Sequence, residues 1–131
     1  MVEKTLFEVL GEDRIRALVD RFYDHMHAET AAAGIRAMHP GDLASSRDKL
    51  FWFLVGWSGG PALYVERFGH PRLRTRHLPF AIGDAEVLQW MDCMRLALAE
   101  VIAEPHLRSL LEATFGQIAQ HMRNLAPEPP A

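Results

Sequence analysis

Residues 68–83 read FGHPRLRTRHLPFAIG, a stretch that contains three arginines, two histidines and two prolines. Pro79 lies two residues after His77, and proline disfavours helical structure at the residue before it. A helix that carries His77 should therefore end almost at once, which gives the imidazole a fixed direction. The arginines before His77 present guanidinium groups, which bind carboxylates through paired hydrogen bonds.

An imidazole beside several arginines has the chemistry that haem requires. Haem iron takes an axial protein ligand, and the two propionates take cationic partners. The pattern alone leaves two other interpretations open. His77 fits a hydrogen-bonded histidine without a metal, and the arginines fit a solvated loop or a phosphate site. The rest of the chain has to decide between these interpretations.

Length and composition restrict the class of protein. The 131 residues fit one domain, which we expect to span residues 1–126, with a disordered tail at residues 127–131. A net charge of −3 gives no reason to expect a nucleic acid partner. The sequence has no apolar run of membrane-spanning length and no signal segment, and Cys93 has no second cysteine to pair with. These features predict a cytoplasmic protein that does not enter a membrane.

Apolar side chains recur at helical spacing, and no segment shows the alternation of a strand, so the predicted fold class is all-α. The four predicted long helices cover about residues 12–27, 43–57, 84–103 and 106–123. A short apolar piece at 5–10 precedes them, and a weaker helix is expected at 29–38. Residues 58–83, which carry His77, are predicted to form a nearly helix-free connection. A connection of this length in a small domain usually has a function.

Several polar or aromatic side chains lie on or beside the apolar helix faces. Tyr23 lies on the apolar face of the first helix, and its buried hydroxyl needs a polar partner or a ligand. Ser46 shares a face with Leu50, although a serine near a helix start has a simpler explanation. Trp90 lies beside the apolar face of the third helix, where most tryptophans are core residues. His39 follows no periodic pattern and is typical of a turn.

Three blocks of sequence resemble the group II truncated haemoglobins. They are RFYDHM (21–26), WSGGPALYVERFGHPRLRTRHLPFAIGDAE (57–86) and QWMDCM (89–94). The resemblance extends over nearly the whole chain and implies a two-over-two helical sandwich that binds haem b. It also implies that His77 is the proximal iron ligand and that Tyr23 and Trp90 are hydrogen-bond donors on the distal side.

Further roles follow from the same resemblance. Arg76 matches a propionate partner, and Tyr64, His70 and Lys49 are weaker candidates for this role. Ser46 matches the position of the usual distal histidine. The remaining expected haem-packing residues are Leu50, Phe53 and Met94. One position departs from the family, because His39 occupies a place where Tyr or Phe is usual. A titratable imidazole there would affect ligand affinity and its pH dependence.

The resemblance implies a haem protein that binds oxygen, nitric oxide or carbon monoxide. Two distal donors would slow oxygen release by about 10²- to 10⁴-fold, since a hydrogen bond to a charged group contributes about 1.5–3 kcal/mol. Slow release favours nitric oxide dioxygenase or peroxidase chemistry, with a reductase as partner, in a monomer or homodimer. The alternatives are a haem-based ligand sensor, in which His39 would report the ligand state, and a haem-free helical interaction module.

Overall fold

The computed structural model describes residues 4–125, all of whose regular structure is helical. The predicted all-α class is therefore confirmed, whereas the predicted tail at residues 127–131 lies outside the described residues. The α-helices are α1 (Leu6–Ala28), α2 (Ala33–Ala37), α3 (Ala44–Trp57), α4 (Leu63–Phe68), α5 (Leu73–His77), α6 (Asp84–Val101) and α7 (Pro105–Met122). A short 3-10 helix, Thr30–Ala32, lies between α1 and α2.

The first helix has an irregularity near its start. The Thr5 hydroxyl accepts a hydrogen bond from the Glu8 amide and caps the helix. Gly11 then takes a φ of 77°, which interrupts regular helical structure. The turn before Gly11 is held against the end of α3, because the Phe7 amide donates to the Ser58 carbonyl at 2.8 Å. The apolar piece predicted at 5–10 is thus the first part of α1.

The prediction of a nearly helix-free connection was wrong for Leu63–Phe68, which form α4, whereas α5 is the short helix expected to end after His77. These helices have only six and five residues, too few to show a helical period in the sequence. Isolated helices this short are unstable in water, so tertiary packing must hold them. In the structure α4 packs on α3, and α5 packs on α7.

The long helices form two layers. Helix α1 packs on α3 and on α6, and α6 packs on α7, so the pair α1/α3 lies over the pair α6/α7. The largest side chains with almost no exposed surface lie between these layers and include Phe22, Leu18, Met94, Leu98 and Leu111. This is the predicted two-over-two arrangement. Among the described helices, none has the length and apolarity needed to span a bilayer.

A group of ion pairs joins α1 to α3 beside the core. The Arg47 guanidinium donates to the Asp20 carbonyl oxygen at 2.9 Å and to an Asp24 carboxylate oxygen at 2.8 Å. It also lies 5.9 Å from the centroid of the Tyr23 ring. Only 23% of the Arg47 side chain is exposed, so water screens these contacts less than those of an open surface pair.

We expect Arg47→Gln to lower the free energy of unfolding by about 1–2 kcal/mol, because charged hydrogen bonds across the α1/α3 contact are lost. Urea denaturation followed by far-ultraviolet circular dichroism measures this difference, which added salt should reduce. The control is Arg95→Gln, since the Arg95 side chain is 44% exposed in its pair with Asp92. The control substitution should lower the free energy of unfolding by less than about 0.5 kcal/mol. Equal losses of unfolding free energy in both variants would contradict the stabilising role assigned to Arg47.

Candidate cofactor pocket

His77 is the last residue of α5, and one of its ring nitrogens has a fixed role. Its Nδ1 lies 2.6 Å from the Leu73 carbonyl oxygen. A carbonyl oxygen can only accept, so Nδ1 carries the proton and donates it. The lone pair of Nε2 is therefore left for another partner, as in histidines that bind metals through Nε2. The side chain is half-buried.

Two side chains that the sequence analysis did not select hold α5 and the following turn against α7. The Arg74 guanidinium donates to the carbonyl oxygens of His121 at 2.7 Å and Arg123 at 3.0 Å. The Asn124 amide donates to the carbonyl oxygens of His77 at 3.3 Å and Phe80 at 2.8 Å. These contacts fix the direction of the imidazole. The sequence held no local signal for Asn124, because its partners lie more than forty residues away.

Tyr23 is buried in α1 with its ring packed edge-on against two neighbours. Its centroid lies 5.0 Å from that of Phe22 and 5.7 Å from that of His39. Burial raises the pKa of the Tyr23 hydroxyl, with the Arg47 charge opposing, so the group stays protonated. Within residues 4–125 this hydroxyl has no hydrogen-bond partner. Among the described residues no fully buried side-chain oxygen lacks a partner, so the Tyr23 hydroxyl reaches accessible space. There it can donate to a ligand.

Trp90 lies on α6 in the same aromatic group as Tyr23. Its ring centroid is 5.0 Å from Phe22 and 6.2 Å from Phe115. Phe22 therefore contacts both predicted distal donors. The indole N–H of the half-buried Trp90 has no acceptor in the described part of the chain. Two donors without acceptors in the protein are thus packed against the same phenylalanine.

His39 lies in the turn after α2 and is half-buried. Its Nδ1 donates to the Ile35 carbonyl oxygen at 2.8 Å, which leaves Nε2 as an acceptor in the neutral ring. Burial lowers the pKa of His39, and the positive charge of Arg36 lowers it further. The edge-on contact with Tyr23 brings His39 into the group of predicted distal residues.

The predicted propionate partners gather around another set of aromatic rings. Arg76 donates through Nε to the Pro71 carbonyl oxygen at 2.7 Å, and its guanidinium lies 5.7 Å from the Tyr64 centroid. The Tyr64 ring lies 6.4 Å from that of Phe53 on α3. Lys49, one turn before Phe53, places its Nζ 5.7 Å from the centroid of Phe68. The structure therefore brings together four of the residues that the resemblance selected.

The other predicted residues are less closely grouped. Ser46 and Leu50 lie half-buried on α3. His70 is exposed, and its Nδ1 accepts the Arg72 amide hydrogen at 3.1 Å. Met94 lies in the core with 0% of its surface exposed, so it does not face an open space in this structure. Packing of Met94 against a cofactor stays a prediction.

A cavity of about 700 Å³ has a volume within the usual range for cofactor pockets. Of the predicted site residues, Phe53 and His70 line it, whereas His77, Tyr23 and Trp90 do not. Its lining comes from α3, α5, α7 and the turn before α5. It combines apolar side chains with basic ones: Phe53, Leu73, Ile118 and Met122 with His70, Arg72, Arg74 and His121. A wider groove of about 980 Å³ between α6 and α7 is lined by none of the predicted site residues.

The chemistry of these side chains is compatible with a bound haem. His77 has one ring nitrogen free, Tyr23 and Trp90 have donors without acceptors in the protein, and two arginines line the cavity that contains Phe53. A two-over-two helical fold with such a donor set defines a haem-binding globin.

Comparison with known proteins leads to the same class. A family model described as bacterial-like globin matches residues 5–124. A group 2 truncated haemoglobin of Bacillus subtilis strain 168 is 36% identical over 118 residues, which cover 90% of this chain and 87% of that protein. This chain therefore belongs to the bacterial-like globin family, and its relatives place it among the group II truncated haemoglobins.

Solved structures are also similar to this chain. A cold-adapted truncated haemoglobin from the Antarctic marine bacterium Pseudoalteromonas haloplanktis TAC125 is 44% identical, with a TM-score of 0.91 and coverage of 94% of this chain and 100% of that one. A truncated oxygen-avid haemoglobin from Bacillus subtilis is 36% identical, with a TM-score of 0.85 and coverage of 92% and 100%. The family and the haem b cofactor are thus confirmed, and the chain is a haem protein that binds oxygen and similar diatomic ligands.

Proposed function

We propose that His77 binds the haem iron through Nε2 and that Arg76, Lys49 and Tyr64 bind the propionates. The hydrogen bond from Nδ1 to Leu73 supports the first assignment, because it leaves Nε2 unprotonated. The positions of Arg76 and Lys49 over aromatic rings support the second, since both charges are held beside rings that connect to Phe53 through Tyr64. Phe53 and Leu50 on α3 supply apolar surface for the cofactor.

Tyr23 and Trp90 act as the distal donors of this site. The observation that carries this assignment is the Tyr23 hydroxyl: its residue is buried, yet the hydroxyl reaches accessible space and has no acceptor among the described residues. Each donor contributes about 1.5–3 kcal/mol to a ligand that carries partial negative charge. Oxygen release is therefore slow, in agreement with the oxygen-avid character stated for the related Bacillus subtilis protein. Slow release makes oxygen transport a poor function for this chain.

The activity that suits slow release is conversion of nitric oxide to nitrate. When bound, haem supplies a ferrous iron that holds oxygen and provides the one electron needed to convert oxygen and nitric oxide to nitrate. Tyr23 and Trp90 retain the oxygen, and Ser46, which has a small side chain, leaves space for nitric oxide to enter along α3. Each turnover consumes one electron, so a reductase is required. The cytoplasmic location and the state of monomer or homodimer stay predictions.

The first test uses the reduced, haem-loaded protein exposed to oxygen and then to one equivalent of nitric oxide. We expect about one nitrate per haem within the mixing time of a stopped-flow instrument, with conversion to the ferric spectrum. Absorption spectra with oxygen and with carbon monoxide show beforehand that the site binds both gases. Nitrite in place of nitrate, or a ferrous nitrosyl spectrum, would contradict dioxygenase activity. Turnover of a peroxidase dye with hydrogen peroxide would favour peroxidase activity.

His39 should make oxygen release depend on pH. In the neutral ring Nε2 can only accept, because Nδ1 donates to Ile35. As pH falls through the lowered pKa of His39, Nε2 gains a proton and becomes a third donor beside Tyr23. Oxygen release in the wild type should therefore become slower at acidic pH. Dissociation rates measured from about pH 5 to 8 should show this change, and His39→Phe should remove it.

The matched control for His39 is His106→Phe, which alters an exposed histidine on α7. This variant should keep the pH dependence of the wild type. If the dependence persists in His39→Phe, another group titrates, and His39 does not contact the ligand. The assignments of Tyr23 and Trp90 would be unaffected by that result.

A further inference from the structure

Positive charge is concentrated in one segment of an acidic chain. Residues 49–77 carry five lysines or arginines and one carboxylate, whereas the chain has a net charge of −3. We call this set the basic rim: Lys49, Arg67, Arg72, Arg74 and Arg76. Every ion pair among residues 4–125 is made by cations outside the rim. The charges of the rim are therefore available to a binding partner.

Aromatic rings hold three charges of the basic rim in place. The pairs, from charge to ring centroid, are Arg67 with Trp52 (4.3 Å), Lys49 with Phe68 (5.7 Å) and Arg76 with Tyr64 (5.7 Å). The three rings are contiguous, since the Phe68 centroid lies 6.0 Å from Trp52 and 4.9 Å from Tyr64. Stacked cations lose less conformational freedom on binding than free ones, so this surface is partly organised for a partner.

Large apolar side chains in and directly after the same segment of the chain are also exposed. Val65 and Phe68 in α4 are 48% and 41% exposed, and Leu78 and Phe80 after α5 are 56% and 39% exposed. Aromatic residues and arginines with apolar neighbours are the composition of protein–protein contact surfaces. A partner that binds only through its phosphate groups would not bury the exposed apolar side chains. The mixture therefore favours a protein with an acidic, partly apolar face.

The position of the surface indicates what the bound partner protein would do. The two propionates carry only two negative charges against five cations, and Arg67 and Arg72 are not among their proposed partners. Both belong to the segment that leads to His77, so a protein bound there lies close to the haem edge. The proposed function consumes one electron per turnover, and that electron must arrive from outside the chain.

We propose that the basic rim and its exposed apolar residues form the docking surface for an acidic electron-donor protein. The donor carries a reduced flavin or an iron–sulfur cluster near its own acidic face. One electron passes from that group to ferric haem iron, which becomes ferrous, and no covalent bond forms. This inference rests on the proposed function, because only a protein that turns over needs repeated reduction.

The test uses the ferric, haem-loaded protein and a flavodoxin as the acidic one-electron donor. Isothermal titration calorimetry at low salt measures the affinity, and stopped-flow spectroscopy measures the rate of haem reduction. The variant is Arg67→Gln/Arg72→Gln, which leaves the proposed haem partners unchanged. We expect its Kd to rise at least about tenfold at low salt, with a smaller difference at high salt, since docking charges act through long-range attraction.

The matched control is Arg21→Gln/Arg95→Gln, which changes net charge by the same amount on α1 and α6. Both of its arginines are paired with carboxylates, and it should keep the affinity of the wild type. Equal weakening in both double variants, or no binding of flavodoxin by the wild type, would overturn the proposal. Rim-dependent binding of phosphatidylglycerol vesicles or duplex DNA without binding of flavodoxin would do the same.

Chemical reduction separates failure of docking from failure of the proposed function. Dithionite reduces the haem without a protein donor, after which spectra with oxygen and carbon monoxide report ligand binding. Normal spectra without docking would overturn the docking surface alone. Abnormal spectra in the wild type would contradict the proposed function itself.

Discussion

His77→Ala should lose haem. Mutations of groups that only orient a metal ligand reduce metal affinity by about 10- to 100-fold, so removal of the ligand should reduce haem retention by at least about tenfold. The measurement is the Soret absorbance per protein after purification, followed by titration of the apoprotein with haem. Far-ultraviolet circular dichroism on the same samples shows whether the variant remains folded.

Two further variants test the axial role of His77 apart from folding. His77→Gly removes the ring and leaves a space, so added imidazole should restore a nitrogen-ligated ferric spectrum. His70→Ala alters an exposed histidine of the same segment and should keep full haem content in the native coordination. If His77→Ala retains stoichiometric haem with an unchanged spectrum, the assignment of His77 as axial ligand is wrong.

Tyr23→Phe and Trp90→Phe should each speed oxygen dissociation by about 10- to 100-fold. This range follows from about 1.5–3 kcal/mol per charge-assisted hydrogen bond and about 1.4 kcal/mol per tenfold change in rate. The Tyr23 hydroxyl and the indole N–H of Trp90 lack acceptors among the described residues, so neither donor is diverted to the protein. Stopped-flow replacement of oxygen by carbon monoxide measures the rates.

The chain supplies its own controls for this experiment. Tyr64→Phe alters the only other tyrosine, and Trp52→Phe alters a tryptophan that packs under Arg67. Both should leave oxygen dissociation within about twofold of the wild type, because neither ring belongs to the group around Phe22. The double variant Tyr23→Phe/Trp90→Phe should be fastest of all. Unchanged rates in both single variants would show that neither donor contacts the ligand.

Local patterns predicted the long helices well. The apolar spacing around Met91 and Leu98 placed α6 within a few residues of its observed bounds. That around Leu18 and Phe22 placed the part of α1 after Gly11, whereas the observed helix begins at Leu6. The reason is that helical periodicity is a property of neighbouring residues. The same method failed for α4, whose helical structure depends on packing against α3.

The residues of the candidate site, like the helices, were predicted only in part from the sequence. The resemblance selected Tyr23, Trp90 and His77, but Arg47 and Asn124 were not found. Arg47 contacts the Tyr23 ring from another helix, and Asn124 holds the turn after His77 from the far end of α7. Neither contact leaves a pattern in the sequence, since each joins residues that are distant along the chain.

The sequence by itself determined the helical class, the family and the short, proline-terminated segment that carries His77. These features depend on periodicity, on the restriction that Pro79 imposes and on blocks of residues that can be compared directly. Only the tertiary structure decided which nitrogen of His77 is free and which donors lack acceptors. Those properties depend on hydrogen bonds such as that of His77 to Leu73 and on packing around Phe22. Such contacts exist only after folding has brought the helices together.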